Sequence, residues 1–86
     1  MQLLKRIPFD FEEIKYEIQI LYGDNTITIV AFHDNYPVNG FRHLIKIPKH
    51  VDPEQVLKTE ILKEMVNDSK DDIREKRWEK LVSVLK

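Results

Sequence analysis

The chain has 86 residues, 42% of them hydrophobic, which suffices for one modest core, so we predict a single domain over residues 1–86. It contains no cysteine, which excludes disulfides, thiolate metal ligands and a thiol nucleophile. A net charge of −1 argues against a broad electrostatic footprint for nucleic acid. No apolar run approaches the ~20 residues of a membrane span and no signal peptide is recognisable, so we expect a cytoplasmic protein with no membrane contact.

The first segment, residues 1–9, fits two structures. Leu3, Leu4 and Ile7 would suit either a short edge strand or a loose arm that folds back over the sheet. Pro8 is expected to end the segment in both cases, because proline lacks the N–H group that a strand ladder needs. The sequence leaves both alternatives open.

Residues 13–47 predict a sheet of three antiparallel strands. Over residues 14–22 apolar side chains alternate with polar ones, which is typical of a strand with one dry and one wet face. The turn-forming cluster at residues 23–25 and the β-branched residues at 26–33 complete the pattern of a hairpin. A third alternating segment, residues 41–47, extends the sheet.

Two helices are predicted after the sheet. Asp52 and Pro53 form a helix start, because aspartate caps free N–H groups and proline suits the first helical position. The apolar spacing predicts one helix over residues 52–67, an interruption at the polar cluster 67–69, and a second helix over residues 69–86. The predicted fold class is therefore α+β: a three-stranded antiparallel meander followed by two helices packed on one face, in the order β-β-β-α-α.

One side of the predicted sheet is expected to face the helices, and the other is expected to be exposed. The side expected to face the helices carries Ile14, Tyr16, Ile18, Ile20, Ile27, Ile29, Ala31, Ile45 and Ile47. The opposite side keeps an apolar cluster of Leu21, Val30, Phe32 and Leu44, with Arg42 and Lys46 at its rim. Exposed apolar clusters usually mark an interface, although a folded-back N-terminal arm would also cover this one. We therefore predict a small intracellular, non-enzymatic protein-interaction module or regulator, for which a homodimer is one possible form, with those six residues binding the partner.

Residues 35–51 suggest a second function, because they contain three basic residues and no acidic one. Cations beside exposed aromatic rings can bind single-stranded nucleic acid through phosphate contacts and base stacking. The residues that would do so are Tyr36, Arg42, Lys46 and Lys49. Two or three charges are few beside the roughly six to ten phosphate contacts of strong binders, and a solvated strand face is the simpler interpretation.

Charge is distributed unevenly along the predicted sheet. Residues 10–24 carry five acidic residues and one lysine, whereas residues 35–51 are basic. The two segments flank the central strand, so their charges could offset each other within one molecule or across a two-fold axis between two copies. The sequence does not separate these alternatives.

Catalytic and metal chemistry have the least support. His33, Asp34 and His43 are the only candidate metal set, but neighbours in a strand point apart and the spacing matches no known motif, so we predict no metal and no cofactor. His43 is interpreted as a hydrogen-bonded histidine at the margin of the core. Without a glycine-rich phosphate loop or a serine–histidine pair, we predict neither an enzyme nor a small-molecule substrate.

Overall fold

A single antiparallel sheet forms one layer of the protein in a computed structural model that describes residues 1–85. Its strands within this range are β1 (Gln2–Phe11), β2 (Ile14–Gly23), β3 (Thr26–His33), β4 (Tyr36–Pro37) and β5 (His43–Lys46). β1, β2 and β3 are neighbours in that order, while β4 and β5 pair with successive parts of the far edge of β3. Helices follow and pack on one side of the sheet, so the predicted α+β class is confirmed.

The N-terminal segment is an edge strand. β1 pairs with β2 along its whole length, with a bulge between Leu3 and Lys5. The expected stop at Pro8 is wrong, because an edge strand has one unpaired side on which a missing N–H group costs nothing. Beyond it, Phe9 is buried in the core. Residues 1–9 therefore widen the sheet instead of folding back over it.

Two-residue turns join β1 to β2, β2 to β3 and β3 to β4. Both central residues of each turn have positive φ, as in type I′ hairpins: Glu12 (50°) and Glu13 (66°), Asp24 (50°) and Asn25 (57°), Asp34 (49°) and Asn35 (67°). Asparagine and aspartate tolerate this conformation, and the turn predicted at residues 23–25 is confirmed. Glutamate is unusual there, since the left-handed conformation costs an ordinary residue about 1–2 kcal/mol.

The first predicted helix start is real but short. Asp52 caps α1 (Pro53–Val56) by accepting a hydrogen bond from the backbone N–H of Glu54, yet this helix ends after one turn. A new helix, α2 (Glu60–Arg74), begins after Thr59, whose hydroxyl caps it. The prediction of one continuous helix over residues 52–67 is therefore wrong.

The second predicted helix boundary is also wrong. α2 runs straight through the polar cluster 67–69, because the serine of this cluster is buried, and burial outweighs the few tenths of a kcal/mol by which such residues disfavour helix. The helix is instead interrupted at Lys76, which has a left-handed φ of 52°, and α3 (Arg77–Val84) follows. Of the predicted helix 69–86, the last residue, Lys86, lies outside the described residues. No helix in the described part of the chain is both long and apolar enough to cross a membrane.

The core lies between the sheet and α2. Its largest fully buried side chains are Ile18, Ile20, Ile27, Ile29 and Leu62. The predicted helix-facing side is thus confirmed at the centre of the sheet. Towards one end of the sheet the same side is less covered: Ile14 is 39% exposed and Tyr16 is half-buried, because α2 ends before reaching them.

Candidate functional site

The side of the sheet away from α2, here called the open face, carries a row of three leucines and one threonine. The register places Leu3 opposite Leu21, Leu21 opposite Thr28, and Thr28 opposite Leu44, so that the four side chains lie across the sheet side by side. Leu44 is 59% exposed and Leu3 is 38% exposed. We call these four residues the leucine row; β1 contributes a leucine to it that the sequence had assigned to an arm or an edge strand.

The other apolar residues predicted for partner binding differ in accessibility. Phe32 is half-buried and lies opposite Pro37, whose ring is exposed. Val30, in the middle of the central strand, is only 3% exposed and so offers a partner almost no surface. Thr28 is 6% exposed, and its hydroxyl has no hydrogen-bond partner within residues 1–85.

Charges on the open face are partly offset within the molecule. Arg6 of β1 lies 3.7 Å from the carboxylate of Glu17 on β2, which neutralises an acidic group of the segment 10–24. On the β5 side, Lys46 is exposed, and the guanidinium of Arg42 donates hydrogen bonds to two backbone carbonyls of the preceding loop. Neither forms a salt bridge with any described residue. The rim beside Leu44 is therefore positive.

The residues of the nucleic-acid hypothesis are not brought together. Tyr36 lies opposite His33 at one end of β3, and Lys46 lies opposite Thr26 at the other end. Thr26 and His33 are seven steps apart along β3, which corresponds to about 23 Å. Lys49 follows β5 in a turn at the same end as Lys46. The aromatic ring and the lysines therefore do not form one continuous surface.

The three residues weighed for metal binding are also dispersed. His33 contacts Asp34 at 3.3 Å, and its Nδ1 lies 2.9 Å from the backbone carbonyl oxygen of Lys15. His43 lies further along the sheet, opposite Ile29, and is directed towards α2. In residues 1–85 no group of three histidine, cysteine, aspartate or glutamate side chains could hold a metal ion.

His43 belongs to a polar network that joins the sheet to α2 and α3 through the buried carboxylate of Asp72. Its Nε2 lies 2.8 Å from Oδ2 of Asp72, and Arg77 donates to the other carboxylate oxygen at 3.1 Å. Asp72 is only 5% exposed, so these bonds replace the water that a buried carboxylate has lost. The hydrogen bond to Asp72 raises the pKa of Arg77 above its ordinary value. The interpretation of His43 as a hydrogen-bonded residue at the core margin is confirmed.

A cleft of about 570 Å³ lies on the helix side of the sheet, beyond the end of α2. Its walls include the rings of Phe11, Tyr16 and Tyr36 from the strand ends and of Trp78 from α3. The ring of His33 also lines it, with its centroid 5.8 Å from that of Tyr16. Aromatic surface from five separate elements therefore meets at this cleft.

Trp78 is held in the wall of the cleft by a close backbone approach. Its ring packs edge-on against Phe41, with centroids 5.5 Å apart. A side chain at Gly40 would place its Cβ only 2.3 Å from Cη2 of Trp78, so this position accepts glycine alone unless the indole moves. The indole therefore packs closely against both Gly40 and Phe41 in the wall of the cleft.

Carboxylates surround the rings. Glu12, Asp34 and Glu79 line the cleft together with Lys76, whose Nζ lies 3.9 Å from Oε2 of Glu12. Burial raises the pKa of Tyr16 above its ordinary value, and the negative charges of Glu12 and Glu79 raise it further. Two carboxylates from different elements thus act on the same phenol.

The cleft was missed at the sequence level, because its residues come from distant parts of the chain. A partial signal existed: Ile7, Phe9 and Phe11 alternate as a strand would, and Glu12 with Glu13 separates them from the next alternating segment. That pattern indicates a hairpin and would have brought Glu12 towards Tyr16. Nothing local indicates that Trp78 and Glu79 reach the same place.

Comparison of the chain with protein-family models, curated proteins and solved structures finds no match.

Proposed function

We propose that the protein is a non-enzymatic interaction module that binds a partner protein through its open face. The observation that carries this proposal is the leucine row, in which Leu44 keeps 59% of its surface exposed although it lies within the sheet. The N-terminal segment does not cover the row, because it lies beside β2 as an edge strand. Burying apolar surface releases about 25 cal/mol per Å², so a partner that covers the row gains affinity directly. We also propose a cytoplasmic location, which the cysteine-free sequence supports.

The charges favour a partner with an apolar centre and an acidic rim. By register and position, the open face and its rim carry the basic residues Arg6, Lys15, Arg42 and Lys46 and the acidic residues Asp10 and Glu17. Two copies of the chain that met through this face would bring together two surfaces with excess positive charge. Complementary charge is the more favourable arrangement, so the proposed partner is a different protein.

A site-specific photocrosslinker tests this proposal. The chain is prepared with p-benzoylphenylalanine in place of Leu44, and a matched control carries it in place of Ile61, which is 66% exposed on α2. Both are irradiated in native lysate with and without nuclease. We expect a discrete protein adduct from position 44 that position 61 does not give, and that Lys46→Glu weakens, because the substitution reverses the charge at the rim.

Each of the other outcomes is decisive. Identical adducts from both positions, or no adduct from position 44, would contradict the proposal. A product of twice the chain mass would replace the separate partner by a second copy. Adducts that disappear with nuclease would instead support the nucleic-acid hypothesis.

A further inference from the structure

The cleft beyond the end of α2 is a site separate from the open face, since it lies on the other side of the sheet. Its volume of about 570 Å³ falls within the range of roughly 300–1,000 Å³ that is usual for small-ligand sites. The cleft exists because α2 stops before the strands do, while Lys76 turns the chain so that α3 stands over their ends. The layer of side chains that fills the rest of the helix side is missing there.

The walls of the cleft suit a cation with an apolar stem. The faces of aromatic rings attract cations within about 6 Å, and ligand-binding cages for organic ammonium ions are built in this way. Tyr16 and Trp78 are half-buried and form the inner wall, whereas Tyr36 is 74% exposed. Tyr36 therefore has most of its surface free to contact a ligand that enters between the rings.

The charges around the cleft favour the same kind of ligand. Glu12, Asp34 and Glu79 provide three carboxylates. Glu12 is neutralised in part by Lys76, and the carboxylate of Asp34 lies 3.3 Å from Nε2 of His33. Asp72 also borders the cleft, but both of its oxygens are already occupied by His43 and Arg77. An anionic ligand would meet repulsion from the carboxylates, whereas a cation would be attracted by carboxylates and rings together.

From this arrangement we propose that the cleft binds an organic ammonium ion with a short apolar stem, which is held between Tyr16, Tyr36 and Trp78 and faces the carboxylates of Asp34 and Glu79. Such a group can come from a free aliphatic amine or from the lysine side chain of a peptide. Both sources present the same chemistry to the cleft, and the experiment distinguishes them.

The test uses Trp78 as a reporter, because it is the only tryptophan in the chain. Its indole N–H resonance is followed while the protein is titrated with n-pentylammonium, and then with 1-pentanol, a neutral molecule of the same shape. A third titration uses N-acetyl-lysine methylamide, with its Nε-acetylated form as the uncharged control. We expect a saturable shift with a dissociation constant on the order of millimolar for the charged probes, weakening with added salt, and none for the neutral ones.

Three substitutions at exposed positions localise the binding. Asp34→Asn and Glu79→Gln should each weaken ammonium binding by roughly three- to fivefold, since each removes one partly solvated charge. Tyr36→Ala should weaken it by roughly two- to fivefold through loss of a cation–π contact. Glu64→Gln, at an exposed position on α2 away from the cleft, is the matched control and should leave binding unchanged.

The possible results are unambiguous. Tighter binding of the lysine derivative than of pentylammonium assigns the ligand to a peptide, and the reverse order assigns it to a free amine; either supports the proposal. Equal shifts with pentylammonium and pentanol, no saturable shift with any charged probe, or equal weakening by Glu64→Gln and Glu79→Gln would overturn it.

Discussion

The two sides of the sheet share the same strands but differ in how they are kept dry. On the helix side, Ile18 and Ile29 are completely buried beneath α2. On the open face burial differs from strand to strand: Val30, in the middle of the central strand, is 3% exposed, whereas Leu44 on β5 is 59% exposed. Alternation decides to which side a residue belongs, but the neighbouring strands and helices decide how much of it water can reach.

The largest effect should separate the two sides directly. Ile29→Ala is expected to lower the free energy of unfolding by about 3–4 kcal/mol, because it leaves a cavity beneath α2. Leu44→Ala should lower it by less than about 1 kcal/mol, since most of that side chain is already in water. Chemical denaturation of both variants measures the difference. Equal losses would mean that the open face is covered in solution.

A second effect, almost as large, belongs to the polar network on the helix side. Asp72→Ala should cost about 3 kcal/mol, because it removes the buried acceptor shared by His43 and Arg77. Asp71→Ala is the matched control: Asp71 is half-buried and pairs with Arg74, so its loss should cost less than about 1 kcal/mol. If the two aspartates proved equivalent in urea denaturation, the buried network would contribute nothing to stability.

On the open face, removing the buried hydroxyl of Thr28 should not destabilise the fold, in contrast to removing the carboxylate of Asp72. Thr28→Val replaces the unpartnered hydroxyl by a methyl group of nearly the same shape. We expect the free energy of unfolding to stay the same or to rise by up to about 1 kcal/mol, because burying an unpaired hydroxyl is unfavourable. A loss of more than about 1 kcal/mol would show that the hydroxyl has a partner in solution.

The smallest effect concerns pH at the less covered end of the helix side. The pKa of Tyr16 is raised, so its neutral phenol stabilises the fold fully below its ordinary pKa of about 10, and this contribution is lost as pH rises through the higher value. Tyr16→Phe should therefore lose less stability than the unmodified chain at strongly alkaline pH. In an ultraviolet titration of tyrosinate, Glu79→Gln should lower the pKa of Tyr16 towards its ordinary value. An unchanged titration would show that Glu79 does not act on the phenol of Tyr16.

Local pattern was sufficient for the central sheet. The alternation in β2 and the turn residues Asp24 and Asn25 act on their own neighbours, so the first predicted hairpin and its helix-facing side are correct. Residues 1–9 fitted both an edge strand and an arm, and Pro8 was expected to end the segment in either case. Only the place of β1 at the edge of the sheet makes proline harmless there.

Longer-range packing decided the features that local pattern missed. α2 passes through residues 67–69 because its buried side continues across them, which outweighs their weak helix propensity. The network of His43 and Asp72, and the meeting of Tyr16 with Trp78 at one cleft, join residues that are far apart in the sequence. No spacing rule connects such residues, because their contacts depend on the angle at which the chain turns at Lys76.

The left-handed pair Glu12 and Glu13 has a consequence for the order in which the sheet assembles. The turn of Asp24 and Asn25 favours its hairpin conformation locally, whereas the glutamate turn opposes it. We therefore expect β2 and β3 to zip together first and β1 to join last, as the strand that also detaches most readily. Fluctuations of the folded chain would then briefly free the edge of β2. Hydrogen exchange should therefore begin in the hairpin of β1 and β2.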